Sequence, residues 1–293
     1  MTLPRIGVFD SGVGGLTVLK AMAEQIPAHY FYFGDTARLP YGTKSAETVA
    51  RYAIGAARFL EAQNIDLLVI ACNTATALAL PLIKEAAHVP VVGVVEPGAA
   101  MAAEVSRKRA AVVIATEATV SSHAYRDALV RYEIQAYEKA CPLFVPLVEE
   151  GWTDHPVTEQ IAQIYLGDAL AQASSEADVL VLACTHYPLL VPLLRRVVPA
   201  TMEIVDSAES TARVVRKMLS DGATSPGVIL SEARSPLTAT ERSRRTPIPA
   251  PTSSSERRSF RFYATDSVDK FKRLAARFLG RQVDHVEHVD LGG

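Results

Sequence analysis

The sequence predicts an α/β protein made of two pseudo-symmetric domains, with mainly parallel sheets that helices flank. Two observations support this fold class. Short β-branched or aromatic runs alternate with longer helix-patterned segments, and one apolar pattern that ends in a cysteine occurs twice. The 293 residues are also enough for two compact domains with substantial cores.

Strand character recurs at fairly regular intervals along the chain. The predicted strands are residues 5–9, 30–33, 67–71, 91–95, 111–115, 179–183 and 260–264. Several of them are apolar at consecutive positions, which is typical of strands that helices cover on both faces. Parallel sheets are therefore expected, with helix-patterned segments at residues 75–87, 189–197 and 267–279.

An internal echo divides the chain into two similar halves. Residues 66–74 read Asp-Leu-Leu-Val-Ile-Ala-Cys-Asn-Thr, and residues 178–186 read Asp-Val-Leu-Val-Leu-Ala-Cys-Thr-His. Buried strands can resemble one another by chance, but this match continues past the apolar run into the cysteine and the residues after it. The spacing of the two segments is about one domain length, so each half is expected to end a central strand with a cysteine.

Residues 222–259 interrupt the pattern. Of these 38 residues, 18 are Ser, Thr or Pro, and six are Arg against three Glu. Such a composition cannot bury enough apolar surface to order itself, which predicts a flexible surface insertion. Its arginines could attract an anionic partner, although a solvated loop is the favoured interpretation.

Composition excludes several functional classes. With 30 basic and 32 acidic residues the formal charge is −2, which argues against nucleic acid as the main partner. There is no signal peptide and no apolar run that could span a membrane, so a cytoplasmic protein with no membrane contact is expected. Three widely spaced cysteines without a CxxC motif suggest neither a disulfide framework nor a metal site. No lysine ends an apolar strand, which argues against a pyridoxal Schiff base.

Two of the cysteines occupy positions typical of catalysts. In open parallel sheets, active-site residues follow the carboxyl ends of strands, and Cys72 and Cys184 both lie there. Each precedes helix-patterned sequence, so a helix dipole is expected to lower the thiol pKa and favour thiolate. Cys141 precedes Pro142, lacks polar neighbours and is interpreted as structural.

A matched pair of thiols fits proton transfer better than the alternatives. A redox couple is usually close in sequence, and acyl transfer needs one cysteine with a histidine base and an oxyanion hole. Two quasi-symmetric thiols can instead remove a proton from one face of a substrate carbon and deliver one to the other face. Inversion at that carbon is the result.

Polar turns supply candidate ligands for a small anionic substrate. Residues 9–15, Phe-Asp-Ser-Gly-Val-Gly-Gly, follow the first strand and could hold a carboxylate or phosphate on backbone amides. They fit neither a Walker loop nor the dinucleotide spacing. Residues 40–43, Pro-Tyr-Gly-Thr, could form a second polar turn, although an ordinary helix N-cap explains Thr43 equally well.

The order of these motifs resembles the glutamate racemases, the cofactor-independent enzymes that supply D-glutamate for bacterial peptidoglycan. The matching segments cover nearly the whole chain outside the insertion. They are Phe-Asp10-Ser11-Gly-Val-Gly-Gly, Pro-Tyr41-Gly42, Ala-Cys72-Asn73-Thr74-Ala, Val-Pro-Leu-Val-Glu149 and Ala-Cys184-Thr185-His186-Tyr-Pro.

The resemblance implies an active site in the cleft between a first domain of residues 1–97 plus 207–293 and a second of residues 98–206. It implies that Cys72 acts on one enantiomer of glutamate and Cys184 on the other. Asp10 would assist Cys72, while Glu149 and His186 would assist Cys184; sequence alone leaves the neighbouring Glu150 as an alternative to Glu149. The substrate-binding residues that it implies are Asp10, Ser11, Tyr41, Gly42, Asn73, Thr74, Thr116, Thr119, Thr185 and His186.

The resemblance further implies an isomerase with no cofactor, a role in cell-wall biogenesis and cell shape, and a homodimer. Three alternatives stay open at this point. They are a racemase for aspartate or another small amino acid, a non-catalytic two-domain amino-acid-binding protein, and a thiol redox protein that would join Cys72 to Cys184 under mild oxidant.

Overall fold

The structure, a computed structural model, describes residues 2–174, 176–221 and 258–292. The predicted insertion at residues 222–259 lies outside these ranges except for its last two residues. Ser259 begins a strand, and the guanidinium of Arg258 donates a hydrogen bond to the carbonyl of Ala23.

Strands and helices alternate through most of the described chain. The strands are β1 (Arg5–Asp10), β2 (His29–Gly34), β3 (Leu67–Ile70), β4 (Val91–Gly93), β5 (Ala110–Ala115), β6 (Gln135–Ala140), β7 (Val179–Ala183), β8 (Glu203–Asp206), β9 (Ser259–Ala264) and β10 (Glu287–His288). The helices are α1 (Leu16–Gln25), α2 (Ala46–Glu61), α3 (Asn73–Ala86), α4 (Val95–Val105), α5 (Glu117–Ser121), α6 (Ala124–Val130), α7 (Phe144–Glu150), α8 (Pro156–Gln172), α9 (Val191–Val197), α10 (Ser207–Ser220) and α11 (Val268–Leu279). Short 3-10 turns cover Thr36–Arg38, Tyr41–Thr43 and Tyr187–Leu190.

The strands form two sheets. A six-stranded sheet has the order β10-β9-β2-β1-β3-β4, and a four-stranded sheet has the order β6-β5-β7-β8. Every pairing between neighbouring strands in the described residues is parallel, which confirms the predicted fold class. Strands of the first sheet come from both ends of the chain and those of the second from its middle, while the domain limits near residues 97 and 206 stay a prediction.

Alternating side chains of the central strands face different layers of helices, as a period of two requires. One apolar cluster is shared by both sheets and includes α1, α8, α9, α10 and α11. Its strand residues include Ile6, Val8, Leu67, Val69, Val112, Ile114, Leu180 and Leu182. A second cluster covers the other face of the first sheet with α2 and α3, and a third covers the other face of the second sheet with α4 and α6.

The structure corrects the predicted elements at several places. The strand predicted at residues 91–95 ends at Gly93, and α4 begins at Val95. Strands β6, β8 and β10 were not predicted, because their polar residues interrupt any apolar run. No helix in the described ranges is both long and apolar enough to cross a membrane.

Candidate active site

The predicted site residues lie where the carboxyl edges of the two sheets meet. Asp10 ends β1, and Cys72 follows the neighbouring strand β3. On the other sheet, Thr116 follows β5 and Cys184 follows β7, which also pair with each other. A methyl group on Gly14 would lie 2.5 Å from His186 Nδ1 and closer still to Thr185 Oγ1. The glycine loop, residues 11–15 after β1, therefore contacts the residues that follow β7 in the other sheet.

Cys72 is 5% exposed and begins α3 as its N-cap. Its Sγ accepts a hydrogen bond from the backbone N–H of Ala75 at 3.4 Å and donates one to Ser11 Oγ at 3.5 Å. Burial, and after it the charge of Asp10, raises the pKa of Cys72 to about 11, although hydrogen bonds donated to the thiolate by Ser11 and by the backbone N–H of Ala75 act in the opposite direction.

Cys184 is 6% exposed and precedes a 3-10 turn instead of a long helix. Burial raises its pKa, and negative charge on Cys72 would raise it further, whereas the backbone N–H of His186 lowers it in part. The prediction of thiolates stabilised by helix dipoles is therefore wrong for both cysteines. Removal from water outweighs the few N–H groups that each sulfur meets.

Asp10 is 1% exposed and lies beside the first cysteine. One carboxylate oxygen, Oδ2, accepts the backbone N–H of Gly12 at 2.9 Å. The other oxygen, Oδ1, is buried and has no hydrogen-bond partner among the described residues. Burial raises the pKa of Asp10, although the charge of His186, two backbone N–H groups and the hydroxyl of Thr185 counteract that shift.

His186, two positions after the second cysteine, forms a partly buried pair with Glu149. His186 Nε2 lies 3.3 Å from Glu149 Oε1, and the edge of the imidazole packs on Phe278. Burial by itself would raise the pKa of Glu149, but the hydrogen bonds and charges of His186 and Lys270 outweigh it and lower that pKa. Glu150 is exposed, so Glu149 is the carboxylate that turns inward.

Three threonine hydroxyls join the two edges. Thr74 Oγ1 lies 2.9 Å from Thr116 Oγ1 and 3.2 Å from Thr119 Oγ1, and the last two lie 2.9 Å apart. The hydroxyls satisfy one another in a ring, and each can rotate to donate to a carboxylate instead.

Two predicted binding residues have their polar groups engaged elsewhere. Asn73 accepts a hydrogen bond from the Tyr125 hydroxyl at 2.6 Å and donates one to Ser207 Oγ at 3.4 Å. The Tyr41 hydroxyl donates to Asp35 Oδ2 at 2.5 Å, while Gly42 lies against Thr116.

The sequence interpretation missed Asp35, which follows β2 directly. This fully buried carboxylate also accepts the hydroxyl of Thr265 at 2.9 Å and so ties the turn at Tyr41 to the end of β9. The same strand-end rule that identified Asp10 and the cysteines could have found it. In the ranges that the structure describes, no group of three or more His, Cys, Asp or Glu residues could hold a metal ion.

The two parallel sheets, each with a thiol at the carboxyl end of a central strand, fit an α/β racemase, and a family match assigns the chain to that class. Residues 6–215 match the model of the Asp/Glu/Hydantoin racemase family. A glutamate racemase of Koribacter versatilis is 60% identical over 99% of this chain and 98% of its own length.

Solved structures agree with this assignment. Glutamate racemase from Francisella tularensis subsp. tularensis in complex with D-glutamate is 30% identical, with a TM-score of 0.81 and 99% of both chains covered. Glutamate racemase from Thermus thermophilus in complex with beta-chloro-D-alanine is 39% identical, with a TM-score of 0.79 and coverage of 98% of this chain and 97% of that one. The chain thus belongs to the glutamate racemase family, within the Asp/Glu/Hydantoin racemases.

Proposed function

We propose that this isomerase interconverts L- and D-glutamate, with Cys72 and Cys184 as the two acid–base groups. The observation that carries the proposal is the matched position of the two sulfurs, each at the carboxyl end of a central strand of facing sheets. The names of the relatives support glutamate as the substrate.

In the proposed reaction one sulfur acts as the base and the other as the acid. The thiolate takes the α-proton, the C–H bond breaks, and the electron pair moves into the adjacent carboxylate. The opposite thiol then donates its proton to the other face of the carbon and becomes a thiolate. Raised thiol pKa values suit this step, because they bring the base closer in strength to a weakly acidic carbon.

Neighbouring groups would move the thiol protons. Asp10 has a free buried oxygen beside Cys72, which can accept a proton or bind the substrate ammonium. His186, held by Glu149, would serve Cys184. Both assignments follow the motif positions. The charge that Asp10 exerts on Cys72 supports the first, and the backbone N–H of His186 at Cys184 supports the second.

Hydroxyls and backbone amides would hold the substrate carboxylates. Their neutral N–H and O–H donors can strengthen their bonds as negative charge builds at the α-carboxylate. Since the Tyr41 hydroxyl is engaged by Asp35, the turn at Tyr41 and Gly42 would contribute backbone N–H groups. The side-chain donors would be Ser11, Thr74, Thr116, Thr119 and Thr185, with Asn73 adding its backbone.

The biological setting follows from the family. We infer a cytoplasmic enzyme that provides D-glutamate for peptidoglycan and so contributes to cell-wall biogenesis and cell shape. We also infer a homodimer and two domains, one of residues 1–97 plus 207–293 and the other of residues 98–206.

Solvent exchange with single-cysteine variants tests the reaction. In D2O the wild type should deuterate the α-carbon of both enantiomers and destroy optical rotation. Cys72→Ala should stop racemisation yet still exchange one enantiomer with retention, since the remaining thiol can return deuterium to the face from which it took the proton. Cys184→Ala should exchange only the opposite enantiomer.

Cys141→Ala is the matched control, because Cys141 is the third buried cysteine and should be dispensable for both exchanges. Persistent racemisation in either single variant would show that the two-thiol assignment is wrong. Binding of glutamate without any exchange in the wild type would favour an amino-acid-binding protein. Comparison of glutamate with aspartate under the same conditions decides the substrate.

A further inference from the structure

We propose that Lys270 is a positioning residue for the Cys184 half of the site, acting from α11 through Glu149 and His186. This inference rests on the proposed two-thiol reaction. Lys270 Nζ donates to Glu149 Oε2 at 3.1 Å, while the other oxygen, Oε1, faces His186 Nε2 at 3.3 Å. The carboxylate thus has one partner for each oxygen.

The same face of α11 also holds the backbone of Glu149. Arg277, seven positions after Lys270, donates from Nη1 to the carbonyl oxygen of Glu149 at 2.6 Å. That carbonyl lies at the C-terminus of α7, where intrahelical donors are lacking and a basic side chain is a favourable partner.

Helix α11 also contacts His186, the partner of Glu149. Phe278, next to Arg277, meets the imidazole of His186 edge to face with ring centres 5.2 Å apart. Residues at i, i+7 and i+8 share one helix face, so α11 contacts the side chain and the backbone of Glu149 and the ring of its partner together. An exposed lysine with no role in the site would not be expected to share a helix face with two other residues that contact Glu149 and His186.

The charges around Glu149 explain what Lys270 adds. His186 and Lys270 meet its carboxylate, the guanidinium of Arg277 lies at its backbone, and Glu150 beside it is exposed. The carboxylate is 15% exposed, so a single cation acts on it through a partly desolvated environment. In the proposed reaction, ionised Glu149 accepts a hydrogen bond from Nε2–H of His186. Its negative charge stabilises the imidazolium that forms when His186 takes the proton of Cys184.

The pH dependence of kcat/KM is the first test. Lys270→Met removes a cation that lowers the pKa of Glu149, so the acid limb of the profile should move to higher pH. On that limb the variant should lose up to about tenfold in kcat/KM for each unit of displacement, with a smaller loss at neutral pH. Lys270→Arg should restore the wild-type profile, and Arg273→Met, an exposed position on the same helix, should leave it unchanged.

Isotope exchange then separates the two halves of the site. Enantiomers have equal free energies, so kcat/KM must be equal in both directions and cannot assign an effect to one cysteine. In the Cys72→Ala background, where Cys184 performs the exchange, Lys270→Met should slow it severalfold. In the Cys184→Ala background the same substitution should have no effect.

Three results would overturn the assignment: an unshifted acid limb, equal slowing in both backgrounds, or failure of arginine to restore the profile. Equal slowing would mean that Lys270 supports the fold in general. Absence of exchange in both single-cysteine backgrounds, with racemisation by the wild type intact, would refute the two-thiol reaction itself, and the role of Lys270 with it.

Discussion

The Cys72 and Cys184 halves of the site each place a thiol at the end of a strand, but they differ in the polar groups near that thiol. Cys72 has Ser11 and the buried carboxyl of Asp10 close by. Cys184 meets the backbone N–H of His186, and we propose that the His186 side chain, Glu149 and Lys270, which are linked in a row that leads outward to solvent, act on it. Two thiols at similar strand ends therefore lie in different electrostatic environments.

The two thiols are therefore similar in their position in the fold and different in the charged groups around them. Burial raises the pKa of both thiols, so in the proposed reaction each thiol needs a partner that accepts its proton. On the Cys72 side that partner is a carboxyl whose own pKa burial raises. On the Cys184 side it is an imidazole next to a carboxylate whose pKa is lowered.

Substitution of His186 should have the largest effect and should impair only the Cys184 half of the site. His186→Asn keeps a group that can reach Glu149 but cannot carry a proton, so racemisation should fall by about 10²–10⁴-fold. Exchange in the Cys72→Ala background should disappear, while exchange in the Cys184→Ala background should persist. His88→Asn, at an exposed histidine paired with Glu61, is the control. Equal loss in both backgrounds would contradict the assignment of His186 to one half.

A methyl group on Gly14 should harm both halves together. The added Cβ would overlap Thr185 and His186, so Gly14→Ala must displace the glycine loop or the opposite edge. A displacement of about 1 Å in a catalytic site can cost about 10²-fold in rate.

The control for this change is Gly167→Ala in α8, where a Cβ meets nothing within 4 Å. That variant should keep its activity and gain up to about 1 kcal/mol of stability from better helix propensity. Activity and thermal unfolding of both variants check the prediction, and normal activity in Gly14→Ala would show that the close approach is unimportant.

Neutralising Glu149 should reduce activity less than substitution of His186 does. Glu149→Gln keeps the shape but replaces a charged hydrogen bond with a neutral one, so kcat/KM should fall by about tenfold near neutral pH. Since folding lowers the pKa of Glu149, its ionised form stabilises the fold above the ordinary value of 4.5, and this stability is lost as pH falls through the lower folded value.

The Gln variant should therefore lose part of the acid dependence of both activity and unfolding. Glu150→Gln, one position along and exposed, should change neither. If Glu150→Gln had the larger effect on kcat/KM, the inward carboxylate would have been assigned to the wrong residue.

Much of the fold could be predicted because the central strands are buried on both faces. β3 and β7 read as unbroken apolar runs and were located within one residue. β6 lies at a sheet edge and carries Glu138 and Lys139, so it lacks that pattern. Its strand character depends on pairing with β5, which a local reading of sequence does not show.

In the candidate site, too, residues marked by a local sequence pattern could be predicted, and those defined by tertiary contacts could not. Asp10 and the two cysteines lie at or just after the carboxyl ends of strands, so their place at the edge could be predicted from the sequence. Lys270 was missed because its partner Glu149 lies 121 positions away and its helix carries several other cations. The raised pKa of each thiol was also missed, since burial is a product of tertiary packing.

The return of the chain to the first sheet has a consequence for the order of folding. β9 pairs with β2, and the contact between His29 and Ser259 spans 230 positions. All strands of the second sheet lie within one continuous stretch, so that sheet can assemble during synthesis before the C-terminal segment exists. A ribosome-bound chain can therefore contain both cysteines and His186 before the first sheet is complete, because β9 and α11 follow them in the sequence.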